Sequence, residues 1–261
     1  MAEAAAAAPL SASQAGDYES QHVHDVYDAI APHFAATRYA PWPAVDTFLA
    51  SLPHHALVAD VGCGNGKYML VAARSPNAPF VVGTDRCAPL VAIAAKQKLE
   101  GSRVDARFDA GTADVRDLPF RDGIFDAAVN IAVVHHLATE GRRVEAWQET
   151  MRILRPGGRL LAYVWALERP STPTPKKGNR GAKMLNRRFE AQDVFVPWQM
   201  RRRKAGATCD KILGDPEETH KRFYHVYRQG ELEQELGKVA HARIVRSYYD
   251  HQNWCAEVEK L

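Results

Sequence analysis

The chain has 261 residues, a length that suits one α/β domain with insertions. Its 46% hydrophobic content supports a sizeable core, and no apolar run approaches the roughly 20 residues of a membrane helix. The net charge of +3 is uneven: residues 169–222 hold 14 Lys/Arg against 6 Asp/Glu, a net of +8, which leaves −5 on the rest.

A basic segment on an otherwise acidic protein points to a polyanionic partner, or to a solvated insertion. Cys63, Cys87, Cys209 and Cys255 are scattered without a C-x-x-C pair, so no zinc site is expected, and free thiols fit a reducing compartment. The opening Met1-Ala2-Glu3 lacks the basic start of a signal peptide, and no Arg or Lys precedes Arg38. The cytoplasm is the expected location, with the nucleus as a second.

In chain order, residues 1–16 are Ala/Ser-rich and read as a disordered tail ahead of one domain over 17–261. Tyr18, Val23, Val26, Tyr27 and Ile30 recur at helical spacing and predict a helix over the ligand site, ending near Pro32. Thr37 to Pro43 is a basic, aromatic loop in which two prolines flank Trp42. It reads as a functional loop or as a rigid linker with Trp42 as core plug. Residues 44–52 predict a helix. Ala56-Leu57-Val58-Ala59 predicts a buried strand that enters Asp60-Val61-Gly62-Cys63-Gly64-Asn65-Gly66-Lys67-Tyr68, a glycine turn opening a helix.

Phe80 to Asp85 predicts a second strand ending in an acid, and Pro89 to Leu99 a helix. Val104 to Phe108 predicts an edge strand followed by Ala113-Asp114. Ile124 to Val129 is a buried strand that runs into Asn130 to Leu137. A helix over Thr139–Leu154 stops at Arg155-Pro156-Gly157-Gly158, and Leu160 to Trp165 is the next strand. The basic stretch 169–222 reads as a partly flexible insertion with an aromatic island, Asp193 to Trp198. A helix at Glu231–Val239 and a hairpin of Ala242–Tyr249 and Trp254–Val258 close the chain. This alternation gives an α/β, doubly wound, mostly parallel Rossmann-like sheet with an antiparallel C-terminal hairpin.

The glycine spacing narrows the ligand. Dinucleotide sites use G-x-G-x-x-G against a pyrophosphate. Here the pattern is G-x-G-x-G after Asp60, and a carboxylate there suits a cationic amino group. The stretch resembles the first motif of class I S-adenosylmethionine-dependent methyltransferases. Asp85 lies where Rossmann-type sites bind ribose hydroxyls. In the methyltransferases the position of Asp114 accepts from the adenine amino group. The cofactor set is therefore Asp60, Gly62, Cys63, Gly64, Asn65, Gly66, Asp85, Arg86, Asp114, Val115 and Ile131.

A closer resemblance rests on Val23 to Tyr27, Ile30 to Phe34, Thr37 to Pro43, Ile131 to His136, Arg142-Arg143-Val144, Trp165 to Glu168, Gln192 to Trp198 and Tyr224 to Arg228. These stretches are similar to the eukaryotic tRNA carboxymethyluridine methyltransferases. In animals a homologous domain is fused to an AlkB-type oxygenase. The resemblance implies S-adenosylmethionine as cofactor, the tRNA anticodon stem-loop as substrate, and esterification of 5-carboxymethyluridine at the wobble position. Its acceptor-side candidates are Arg38, Tyr39, His135 and Arg142 for catalysis. Trp42, His136, Trp198, Arg201, Arg202 and Arg203 are candidates for substrate contact. One of His135 and His136 is expected to face the site, His135 being favoured, and Arg142 either serves the site or pairs on its helix.

The family also implies a small zinc-binding activator subunit, expected on the Ser102–Phe108 edge beside Leu90, Val91, Ile93, Ala94 and Leu99. Two other readings compete. A methyltransferase of small molecules explains the cofactor motif but not the basic insertion. A silent RNA-binding subunit does not explain three acids at three strand ends.

Overall fold

The structure, a computed structural model, describes residues 3–4, 10–38, 40–100, 108–168, 189–200 and 218–261. After β1 (Glu3–Ala4), the helix α1 (Ala12–Glu19), a π-helical turn (Ser20–His24) and α2 (Asp25–Thr37) run on without a break. Ser11 and Gln14 form a capping box, each side chain accepting the other's backbone N–H. Helical order thus begins ahead of residue 17, inside the stretch that composition alone reads as a tail. Pro32 does not end the helix as its sequence position suggests: α2 passes through it to Thr37. The missing amide is tolerated because Ile30 and Ala31 are buried on the helix's inner face, where Ala31 and Phe34 pack with Leu90.

There follow α3 (Pro43–Ala50), β2 (Leu57–Val61), α4 (Lys67–Ala73), β3 (Phe80–Asp85), α5 (Ala88–Glu100), β4 (Phe108–Thr112) and β5 (Phe125–Ile131). A 3₁₀ turn (Val134–His136) leads to α6 (Glu140–Arg152), β6 (Leu154–Trp165), β7 (Asp193–Met200) and β8 (Glu218–His225). The chain closes with α7 (Glu231–Leu236), β9 (Ala242–Asp250) and β10 (Asn253–Lys260).

Seven strands form one sheet in the order β4-β3-β2-β5-β6-β10-β9. The first five pair in parallel, and β10 pairs antiparallel with both β6 and β9. The doubly wound class with its antiparallel hairpin is therefore borne out. Strand order reverses between β2 and β5, and such a switch point leaves a crevice at the carboxyl ends of the strands. One face of the sheet buries Trp147, Met151 and Leu236 from α6 and α7; the other buries Phe48 and Met69 from α3 and α4.

The structure bears on three further expectations. The described third strand is Phe108–Thr112; of the expected Val104–Phe108 only Phe108 falls in it, and residues 101–107 lie outside the described ones. Pairing sets it there: Val81 to Asp85 lie opposite Phe108 to Thr112, which brings the chain level with the tip of β3. The aromatic island of the basic stretch lies in β7, which pairs with β8 along its length and with β1, while 169–188 and 201–217 lie outside the described residues. Finally, Leu90, Val91 and Ala94 are buried and Ile93 is half-buried, so these four residues form no exposed patch, and the side chain of Leu99 lies outside the described ones. The helix needs that apolar content because it is covered on two sides, by the sheet and by α2.

Candidate active site

The glycine turn sits at the switch point. Gly62 and Cys63 both donate their amides to the Thr84 carbonyl, at 2.7 and 2.9 Å, which folds the turn against β3. Gly62 has φ +80°, and a Cβ there would lie 2.1 Å from Val133 Cγ2. Val133 follows Ala132, itself held at φ +64°. Strain on a non-glycine residue at a cavity wall is what functional sites retain.

Asp85 accepts the Gly64 amide on one oxygen and the Cys87 amide on the other, each at 2.9 Å. The carboxylate is thereby fixed at the strand tip, and burial holds its pKa above the usual range. Burial also acts on Asp114, but its pKa lies below the usual range: the Arg116 amide donates to it, and Arg116 and Arg86 ion-pair with it at 3.2 and 3.3 Å.

Asp60 is wholly buried two residues before Gly62, and its Oδ2 has no hydrogen-bond partner among the described residues. Burial pushes its pKa up to about 7, opposed by Lys67 and assisted by Asp85. A ligand's ammonium group held at the turn above it would be attracted by the ionised form. Affinity for such a ligand should therefore fall about tenfold per pH unit as the pH drops below about 7. In Asp60→Asn the profile should be flat. Calorimetry of S-adenosylmethionine binding across that range checks it; a pH-independent wild type would remove Asp60 from the site.

These groups open on a cavity of about 550 Å³. Of the expected cofactor set, Gly62, Cys63, Gly64, Asn65, Asp85, Arg86, Asp114, Val115 and Ile131 line it. Asp60 lies beneath the turn rather than on the wall. Gly66 (φ +76°) faces α5, where a Cβ would meet that of Ala94 at 2.9 Å. Asn65 ties the turn to the end of α2, its amide donating to the carbonyls of Ala35 and Arg38.

The opposite wall comes from α2, the 3₁₀ turn and β8. His136 is half-buried here. Its Nδ1–H donates to the Phe223 carbonyl at 2.8 Å, so its Nε2 accepts from the Tyr27 hydroxyl at 3.0 Å. Burial lowers its pKa to about 3, and the ring is neutral. His135 also lines the cavity but is fully buried, and its Nδ1 accepts the Trp165 amide at 3.1 Å. Both histidines therefore line the cavity, His135 fully buried and His136 half-buried. Arg38 lines the wall with its guanidinium over Trp198 at 5.1 Å, while Trp198 itself stands behind, its Nε1–H bonded to His33.

Trp42 lines the cavity and also packs against Tyr163 as a core plug. Arg142 does not reach the cavity. It forms a two-pronged pair with buried Glu19 at 2.6 and 2.7 Å, an attraction across helices that its position on α6 alone does not reveal. Tyr39, Arg201, Arg202 and Arg203 lie outside the described residues. The sequence reading passes over Tyr27, Lys67, Arg222 and Tyr224 as cavity residues.

The fold and this cavity define a class I methyltransferase, and the residues present fit S-adenosylmethionine: an orphaned buried carboxylate oxygen, a glycine cradle and acids at three strand ends. A methyltransferase domain model matches residues 59–162. The solved structure of the [4+2]-cyclase SpnF superposes with a TM-score of 0.62 at 18% identity, covering 92% of this chain and 96% of that one, which shows the fold alone.

A Schizosaccharomyces pombe protein named tRNA (carboxymethyluridine(34)-5-O)-methyltransferase is 41% identical over 94% of this chain and 98% of its own length. A Xenopus tropicalis relative of the same name is 39% identical over 95% of this chain. The chain spans only 42% of that relative's length. The chain belongs to the tRNA (carboxymethyluridine(34)-5-O)-methyltransferase family.

Proposed function

We propose that this chain transfers a methyl group from S-adenosylmethionine to the carboxylate of 5-carboxymethyluridine at the wobble position of a tRNA anticodon. One observation supports this reading beyond the family's name: among the described residues of α2, the 3₁₀ turn and β8 that line the acceptor wall, neither His136 nor Tyr27 is poised as a general base. His136 is depressed to about 3, and burial raises the pKa of Tyr27 far above neutrality. An amine or hydroxyl acceptor would have to lose a proton to such groups. A carboxylate arrives already ionised and needs none removed.

When bound, S-adenosylmethionine supplies an electrophilic methyl group. Asp60, Asp85 and Asp114 would hold its ammonium, ribose and adenine ends, with Val115 and Ile131 against the base. The residues opposite have two tasks. Their rings exclude water, which otherwise blunts a carboxylate nucleophile. Their donors hold one oxygen in line.

The test is to incubate the chain with labelled S-adenosylmethionine and tRNA bearing 5-carboxymethyluridine. Label that mild alkali releases is expected. Alkali-stable label would mean N- or C-methylation, and label on small molecules without tRNA would favour the first competing reading.

A small activator subunit belongs to the same proposal. Among the described residues β4 pairs only with β3, so its outer edge is open to strand addition.

A further inference from the structure

We propose that Arg222 receives the substrate carboxylate, oriented by Tyr27, Trp198 and Tyr224. This rests on the function proposed above, because it names the group that engages that acceptor.

Arg222 lines the cavity yet is only 3% exposed. Its guanidinium carbon lies 4.7 Å from the ring centre of Trp198, 5.2 Å from Tyr224 and 5.5 Å from Tyr27. Nη1 donates to the Tyr27 hydroxyl at 3.1 Å. Among the described residues Nε is buried with no hydrogen-bond partner, and no described carboxylate forms an ion pair with this residue. Arg143, buried to a similar degree, has Glu235 at 2.7 Å.

Taking a guanidinium out of water without a counter-anion is costly. Aromatic faces offset part of that cost but do not neutralise the charge. A cation buried in this way at a cavity wall is matched to an anion brought by the ligand. The planar fork suits a carboxylate. Contact through Nε would engage one carboxylate oxygen and leave the other clear.

The orientation of the fork is also fixed. Tyr27 donates its proton to His136 Nε2, so its oxygen is free to accept from Arg222. Neutral His136 is in turn held by the Phe223 carbonyl on the same strand as Arg222. Tyr27 is a positioning residue, and Arg222 is the contact. Esterification removes the substrate's charge, so the product loses this pairing and leaves more readily.

The test uses the full chain and two anticodon stem-loops, one with 5-carboxymethyluridine and one with its carboxamide counterpart at the wobble position. Binding of each is read by fluorescence anisotropy. The wild type should prefer the carboxylate by about 10- to 100-fold, the range for a hydrogen bond to a charged group. Arg222→Met should erase that preference while affinity for the carboxamide and for S-adenosylmethionine stays unchanged.

Equal loss for both stem-loops would make Arg222 structural. Loss of S-adenosylmethionine binding would place it on the cofactor's own carboxylate. Either result overturns the proposal. If Arg222→Met does not fold, Arg222→Lys, which keeps the charge without the fork, should shrink the preference; an unchanged preference overturns it too. The binding arm stands apart from turnover. A wild type that prefers the carboxylate but deposits no alkali-labile methyl refutes the proposed reaction and supports Arg222 as an anion receptor. A wild type with ester activity and no preference refutes Arg222.

Discussion

Gly62→Ala is expected to lower S-adenosylmethionine affinity by about 30-fold to several thousand-fold. Two costs combine. The position has φ +80°, which charges an L-residue about 1–2 kcal/mol. The new methyl would also lie 2.1 Å from Val133 Cγ2, and forced overpacking costs about 1–3 kcal/mol. Together they amount to about 2–5 kcal/mol, which the turn can relieve only by opening away from the Thr84 carbonyl that both its amides share. That movement would pull the Gly64 amide from Asp85.

Calorimetry measures the loss, and thermal unfolding separates it from a global effect. Val133→Ala in the same chain removes the two nearest methyl carbons and should return part of the affinity. Near-wild-type binding by the single variant would show that the turn is not the cradle.

The cofactor half was legible in the sequence because it is local. Asp60 to Tyr68 is one strand–turn–helix segment, and Asp85 and Asp114 each close the strand or loop that delivers them. Parallel pairing then brings the three together without further instruction. The acceptor half is different in kind. Tyr27 comes from α2, His136 from the 3₁₀ turn and Arg222 from β8, and only tertiary packing unites them.

Charge counting misled at Arg222, since it placed that residue with the solvated basic stretch. A signal was present nonetheless. In Lys221-Arg222-Phe223-Tyr224 the period of two puts Arg222 and Tyr224 on one face, and an arginine beside an aromatic on a strand face is a sheltered cation. Arg142 shows the converse. Its helix position suits the site, but Glu19, distant in sequence, claims it. No spacing rule links two residues on separate helices.

The same logic predicts the largest loss of stability. Glu235 is 1% exposed and carries three donors: Arg143 Nε at 2.7 Å, Tyr227 Oη at 2.8 Å and Trp147 Nε1 at 3.1 Å. Glu235→Ala would strip all three at once and leave the buried Arg143 guanidinium with Glu231 at 3.8 Å as its nearest acid. Breaking a buried pair from one side costs about 3–5 kcal/mol, because the remaining charge is uncompensated.

Urea unfolding should show a midpoint shift of that size with little change in slope. Replacing both partners, Arg143→Met with Glu235→Leu, should recover much of the loss, since the charge and its counter-charge then leave together. The recovery should be incomplete, as Trp147 and Tyr227 still lack an acceptor. The effect would also reach the acceptor wall. Arg143 donates to the Leu137 carbonyl, one residue past His136, so weakening the clamp between α6 and α7 frees the turn that positions that ring. A loss below about 1 kcal/mol in the single variant would mean that water replaces the carboxylate, and that the clamp is not closed.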